Sequence, residues 1–383
     1  MSLSAPKVVA GLDPPPVGSV AIVHDYLNQP GGAERVVLAM SGIWPDAPIY
    51  TSLYRADSTF PAFAATDVRT SALDWLPVDN GFRNLFPFYP VAFRSFGPLE
   101  YDIVISSSSG WAHSIRTSPR TFHAVYCHAP ARWLYGGEHL VDARRRALRP
   151  FVSAMRHWDR GAARRADLYI ANSQEVRRRI RSQYGVDAPV IYPPVDVDRF
   201  TPRERGERLL VVSRLLPYKR IDAIVDAATR GGIGLDIVGT GPAWADLRRR
   251  AGRTIEFHGR LSDDDVRQFM QNCRALCVPG KEDFGITSVE ANAAGKPVVA
   301  FGAGGALETL EEGVTGSFFS RHEPDDVLAA IRRSDLIDAA PAIIAARARR
   351  FSRHAFQTAL QLSVHAGWQA HSKRRHDVGQ IPV

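Results

Sequence analysis

PGKEDFGITSVE, residues 279–290, is the stretch from which this chain is best read. An apolar run, Ala275 to Val278, precedes it and predicts a buried strand. A helix is expected from Ile286 to Ala294, with its end marked by Gly295-Lys296-Pro297. Two carboxylates, Glu282 and Glu290, therefore flank a strand-to-helix turn. Such a turn leaves backbone N–H groups free at a helix N-terminus, where anions bind, and Gly285 lets the backbone come close to a ligand. A loop acid, a cluster of amides and a helix acid in a row suit a long ligand that is polar at both ends and anionic in the middle, such as a nucleotide-diphosphate-sugar. A hydrolytic carboxylate pair would sit roughly 5–9.5 Å apart. Eight residues of helix span about 12 Å, so a shared acid/base role is disfavoured.

The same alternation extends outward from this stretch. Apolar runs at Leu209–Val212, Leu235–Val238, Ile255–His258, Ala275–Val278 and Pro297–Phe301 predict strands. Helical patterns at about 220–230, 242–251, 264–272, 286–294 and 305–312 lie between them. The result is a doubly wound parallel α/β sheet. Its first strand ends in Ser213-Arg214-Leu215-Leu216-Pro217-Tyr218-Lys219. A guanidinium and an ammonium then stand on either side of a Pro-fixed turn, where they suit a diphosphate without a metal. A cation at a helix start is unfavourable unless an anion joins it, so Lys219 points the same way. Gly239-Thr240-Gly241-Pro242 and Gly302-Ala303-Gly304 are not dinucleotide fingerprints, because Trp244 and Leu307 occupy the third glycine position. Ser262 to Asp265 reads as a capping arrangement, not a metal site.

The first half repeats the pattern less cleanly. Strands are expected at Ser19–Val23, Ile49–Tyr54, Asp102–Ser106, Phe122–Tyr126 and Leu168–Ala171, with a helix from Gly31-Gly32 to about Met40. His128, Ser173 and the Gly31-Gly32 loop fall at strand carboxyl ends, where ligands bind in such sheets. Residues 1–18 read as a loose arm. Residues 74–98, with Trp75, Phe82, Phe86, Phe88, Tyr89, Phe93 and Phe96, read as a loop with core anchors or as an exposed apolar surface. The Arg-rich segment 142–181, with Arg144 to Arg146 and Arg177 to Arg179, reads as solvated helix faces or as a dock for an anionic membrane. Tyr192 to Arg203 is Pro-rich and marks a domain boundary.

The 383 residues exceed one core, and two domains are the prior. A net charge of +8 favours anionic partners, but no nucleic-acid-binding pattern is present. The three cysteines lack metal spacing and read as buried thiols. Neither a signal peptide nor a run of 18 apolar residues is seen. A cytoplasmic protein, peripheral at most to the inner face of a membrane, is the expectation.

The order SRLLPYK (213–219), IVGTGP (237–242), FHGRLSDDD (257–265), PGKEDFGITSVEANAAGKPVVA (279–300) and GVTGSFF (313–319) resembles the family-4 retaining glycosyltransferases of the GT-B fold. VHDYL (23–27), GGAERV (31–36), VYCHAPARWLY (125–135), IANSQ (170–174) and VIYPPVDVDRF (190–200) resemble the branch that holds polysaccharide and lipid-linked-oligosaccharide mannosyltransferases. The resemblance implies two Rossmann-like domains facing across a cleft. Residues 1–195 would bind the acceptor and 196–350 the nucleotide sugar, with a helical tail, 351–383, packing back on the first domain. Arg214 and Lys219 would hold the diphosphate, with Gly32 close to it, and Glu290 would bond the ribose. Glu282 and the amides of Phe284, Gly285 and Ile286 would bond the sugar, with His128 at the reaction centre. No metal or other cofactor is implied. The implied activity is hexosyl transfer with retention, from GDP-mannose in the first instance, to a lipid-linked or polysaccharide acceptor. UDP- or dTDP-sugar donors and a GT-B sugar-nucleotide 2-epimerase are the alternatives. Relatives often carry a histidine where this chain has Ser106 to Ser109. Whether His113 replaces it is left open.

Overall fold

The computed structural model describes residues 18–75, 88–135 and 145–379. The arm before Gly18, Phe82, Phe86 and Arg144 lie outside the described residues. Two six-stranded sheets, parallel throughout, form the frame. The first comprises β1 (Val20–His24), β2 (Ile49–Thr51), β3 (Val68–Thr70), β4 (Ile103–Ser108), β5 (Phe122–Cys127) and β6 (Leu168–Ala171), in the order β3-β2-β1-β4-β5-β6. The second comprises β7 (Leu209–Val212), β8 (Leu235–Val238), β9 (Ile255–Gly259), β10 (Ala275–Val278), β11 (Val298–Phe301) and β12 (Gly316–Phe319), in the order β12-β11-β10-β7-β8-β9. Counted from its own first strand, each sheet has the same winding. The order reverses between β1 and β4 in one and between β7 and β10 in the other. Ligands of doubly wound sheets bind at that reversal.

The strands are continuous apolar runs because helices cover both faces. In the first half these are α1 (Gly32–Ser41), α2 (Tyr89–Arg94), α3 (Arg132–Tyr135), α4 (Arg145–Ala163) and α5 (Gln174–Tyr184). In the second half they are α6 (Ile221–Gly231), α7 (Trp244–Arg250), α8 (Asp263–Asn272), α9 (Ile286–Ala293), α10 (Ala306–Thr309), α11 (Pro324–Asp335) and α12 (Pro341–Ala348). α13 (Arg353–Gly379) returns to the first sheet. Its Phe356, Leu360 and Val364 join the core formed by Ile22, Val36, Met40 and Tyr126, and Gln357 donates to the Ala39 carbonyl at 2.9 Å. The segments that pass between the sheets pair with each other, Val195 N donating to Phe351 O at 2.9 Å. Among the described residues no helix is long and apolar enough to cross a membrane.

Several local expectations are corrected. The second strand stops at Thr51, and Tyr54 makes only an isolated bridge to Leu27. β3 was not foreseen, being three residues long and only partly buried. α10 ends at Thr309, where Leu310 turns extended and is buried. The Arg177–Arg179 triplet is not a free basic face. Arg177 pairs with Asp187 at 3.0 Å, Arg178 with Glu175 at 2.5 Å and Arg179 with Asp283 at 2.9 Å. The aromatic stretch divides: Tyr89 and Phe93 are core, whereas Trp75 and Phe88 are 87% and 57% exposed. Ser262 does cap α8, its hydroxyl accepting from the Asp265 amide at 3.2 Å. All three cysteines are free and buried.

Candidate active site

A cavity of about 2390 Å³ lies between the two sheets and is lined from both halves of the chain. α1 and α9 bring their N-termini to it. Their first amides have no helical acceptor, and those of Gly32, Ala33, Phe284, Gly285 and Ile286 donate to no other described group. The two helix starts are close. A side chain on Gly32 would place its Cβ 2.8 Å from Ile286 Cδ1, so the tip of that isoleucine would have to move aside. Gly285, the N-cap of α9, has φ +92°, a conformation that side chains resist. Two partial positive charges thus converge from opposite domains.

Arg214 and Lys219 border the same space. Arg214 is exposed, and its side chain has no hydrogen-bond or ion-pair partner among the described residues. Lys219 Nζ lies 2.5 Å from Glu282 Oε1, so two residues expected to hold different parts of a ligand hold each other here. Arg220, immediately before α6, is the only described non-glycine residue with positive φ, at 53°. Strain of this kind is tolerated where the surroundings over-determine a functional turn.

Glu290 is placed differently from the loop residues. It lies farther along α9 than the lining residues Ile286 to Ser288, and its carboxylate accepts from Arg35 of α1 at 2.9 Å, across the domains. Burial pushes its pKa up, while Arg35 pulls against that. The loop before α9 makes further crossings. Asp283 pairs with both Arg132 and Arg179, and Lys281 pairs with Glu175 at 2.6 Å. Glu308 accepts from the first amides of α5, Gln174 at 2.7 Å and Glu175 at 3.0 Å. The first domain thereby grips the loop that carries Glu282 and Phe284. With Glu282 on Lys219 and Glu290 on Arg35, the two acids do not form an acid/base pair.

On the opposite wall, His128 reaches the cavity and its Nε2 lies 2.8 Å from Ser107 Oγ. The buried His24 Nδ1 lies 3.2 Å from the same hydroxyl. Burial, with His24 beside it, pushes His128 down to about 3, so the ring facing the cleft is neutral at ordinary pH. Asp25 spends both oxygens on backbone. Oδ1 accepts from Trp111 at 2.9 Å and Ala112 at 2.7 Å, and Oδ2 accepts from Ser109. It fixes the turn after β4. His113 does not substitute for a cleft histidine. It is buried, its Nε2 3.0 Å from Asp159 Oδ1. Asp236, Glu256 and His258 lie within ligand reach of one another, but Arg208 already pairs with both carboxylates, at 2.9 Å from Asp236 and 3.2 Å from Glu256.

The buried imidazoles make stability depend on pH. His123, with Nε2 2.8 Å from Ser106 Oγ, is pushed down to about 3 by burial. The unfolded chain binds its proton near pH 6.5, the fold only near 3. Stability from this site is therefore complete above 6.5 and is lost as pH falls towards 3. Between pH 6.5 and 5 the expected loss is about 2 kcal/mol per such site. Urea midpoints measured across that range should fall, and less steeply in His123→Asn. An unchanged slope in that variant would refute the assignment.

Comparison with known proteins agrees with this arrangement. Residues 30–199 match the family model Glycosyltransferase Family 4, and residues 196–349 match Glycosyl transferases group 1. The D-inositol 3-phosphate glycosyltransferase of Geodermatophilus obscurus is 28% identical over 282 residues, 61% of this chain and 59% of that protein. Its namesake in Mycobacterium tuberculosis (strain F11) is 30% identical over 186 residues, 41% of this chain and 38% of that one. The chain thus spans from under two fifths to about three fifths of these relatives' length. Among solved structures, Anabaena HepE in complex with UDP and glucose superposes with a TM-score of 0.69 at 21% identity, covering 91% of this chain and 99% of that one. The lipopolysaccharide outer core galactosyltransferase WaaB gives 0.65 at 17% identity, covering 91% and 99%. In order along the chain, the first half is similar to Glycosyltransferase Family 4 and the second to Glycosyl transferases group 1, and the whole has the two-domain GT-B fold of the solved glycosyltransferases.

Proposed function

We propose that this protein transfers a hexose, with retention of configuration, from a nucleotide sugar to a lipid-linked or polysaccharide acceptor. The observation that carries the reading is the convergence of unpaired amides from α1 and α9 with Arg214 and Lys219 in one cleft. The diphosphate would lie between them. Lys219 would turn from Glu282 to phosphate, releasing Glu282 and the amides of Phe284 to Ile286 to the sugar hydroxyls. Glu290 would take the ribose while sharing Arg35. The neutral His128, anchored on Ser107, would accept or donate one hydrogen bond beside the anomeric carbon. The carboxylates that line the cleft are engaged by cations or amides, so the leaving phosphate is the group best placed to take the acceptor's proton. Fixed cations and amides neutralise the diphosphate, and activity should survive EDTA.

GDP-mannose remains the first donor to test. Similar structures solved with UDP and glucose make UDP-glucose its rival. Thermal unfolding with GDP-, UDP- and dTDP-sugars is the deciding experiment. A donor at a hundred times its Kd should raise the midpoint by about 5–10 °C, and that donor should then release nucleotide when an acceptor extract is added. No shift with any of them would overturn the proposal. Conversion of the donor alone, without an acceptor, would favour the 2-epimerase.

A further inference from the structure

The cavity is larger than a donor needs. Small-molecule sites occupy about 300–1,000 Å³, against about 2390 Å³ here. The donor residues all belong to the second domain or to the start of α1, leaving the wall made by α4. Five residues of α4 line it, Arg149, Phe151, Val152, Ser153 and Arg156. Arg149, Val152, Ser153 and Arg156, at i, i+3, i+4 and i+7, share one helix face, with the two arginines about 10 Å apart along the axis.

Among the described residues no carboxylate pairs with the charge on this wall. The Arg149 side chain has no hydrogen-bond or ion-pair partner among the described residues. Arg156 is held by its base: Nε donates to the Leu134 carbonyl at 2.9 Å and the guanidinium lies 5.7 Å from the Tyr135 ring centre. Its terminal nitrogens stay available. The acids that line the cavity are already engaged, Asp25 by amides, Glu282 by Lys219 and Asp283 by Arg132 and Arg179. A second anion therefore has a place here, apart from the one Arg214 and Lys219 would hold.

Apolar surface adjoins that charge. Tyr89 of α2 stacks on Trp111 at 5.7 Å, both lining the cavity, and the ring of Trp158 of α4 lies tilted at 6.1 Å from Trp111. α2 and α4 thus share one support. On these helices Phe151 is 40% exposed and Val91 65% exposed, and Phe88, just before α2, is 57% exposed. Large apolar side chains left to solvent beside a cavity mark a binding surface.

We infer that the acceptor is a phosphate or diphosphate ester of a hydrocarbon chain, its anionic group between Arg149 and Arg156 and its chain running over Val152 and Phe151. This rests on the proposed glycosyl transfer and narrows its acceptor to the lipid-linked class. The probe is farnesyl diphosphate, titrated into the full chain saturated with whichever nucleoside diphosphate binds, so that the donor site is filled. It should bind at least tenfold tighter than inorganic pyrophosphate or farnesol. R149Q/R156Q should weaken it about 10- to 100-fold while nucleotide affinity is unchanged. Phe151→Ser, at an exposed position, should weaken farnesyl diphosphate several-fold and leave pyrophosphate alone. Equal binding of the three probes, or farnesyl diphosphate binding untouched by both variants, would overturn the inference. So would R149Q/R156Q weakening attachment to phosphatidylglycerol vesicles but not to farnesyl diphosphate, since the wall would then be a membrane dock. Failure of nucleotide binding in the unaltered protein would instead strike the proposed function itself.

Discussion

Replacing Arg214 and Lys219 together by alanine is expected to lower kcat/KM for the nucleotide sugar by a factor of about 10² to 10⁴. Hydrogen bonds to charged groups are worth about 1.5–3 kcal/mol each, and every 1.4 kcal/mol is about tenfold. The two single changes should differ. The Arg214 side chain is exposed and without a described partner, so its loss removes one ligand to phosphate and little else. Lys219 lies 2.5 Å from Glu282. Its loss also leaves a carboxylate, only 25% exposed, facing the incoming diphosphate. Lys219→Ala should therefore cost more than Arg214→Ala, and Glu282→Gln added to it should recover part of the nucleotide affinity by removing the repulsion. Calorimetric titration of the four proteins with the nucleoside diphosphate reads this directly. Wild-type affinity in the double alanine variant would end the assignment of the phosphate site.

That prediction was open to the sequence because its residues are local. Arg214 and Lys219 lie just beyond one strand, and Glu282 just beyond its neighbour, so placing β7 and β10 places them. The strands themselves were legible because a parallel sheet covered on both faces is written as uninterrupted apolar runs between turn residues. The pattern weakens where an element is short or at an edge, as β3 is, with three residues of which none is buried. α10 was overextended for a related reason: Leu310 continues an apolar spacing but turns extended.

What the sequence could not carry is the way the halves meet. Arg35 finds Glu290 from 255 positions away, and Asp283 draws Arg132 and Arg179 from 151 and 104 positions away. No local period encodes such pairs. The same holds within the first domain. Asp25 is one residue of VHDYL in the sequence, whereas the amides of Ser109, Trp111 and Ala112, more than 80 positions on, all donate to its carboxylate. His113 stayed ambiguous because its partner, Asp159, belongs to α4. The arginine triplet at 177–179 looked like a basic face because two of its acids, Asp187 and Asp283, lie outside α5.

A single methyl group at Gly305 should disable the donor site almost as well as loss of the cations. The turn from Gly302 to Gly305 backs the loop that carries Glu282 and Phe284. Gly305 N donates to Glu282 O at 2.9 Å, and Glu282 pairs with Gly304 as an isolated bridge. A Cβ on Gly305 would lie 2.3 Å from Phe284 O and 2.4 Å from its Cα, both backbone atoms that cannot swing aside. Gly305→Ala must therefore push the 282–285 segment from its seat, moving the Glu282 carboxylate and three amides at once. A displacement of about 1 Å in such a site costs on the order of a hundredfold. Gly302 provides the control within the same turn. A Cβ there meets nothing closer than 3.5 Å, an ordinary contact, so Gly302→Ala should keep donor affinity within about threefold, as expected where no named packing or strain mechanism applies. Circular dichroism with the nucleotide titration separates misfolding from misplacement. If both alanines bound nucleotide equally well, this turn would not be what holds the donor loop in place.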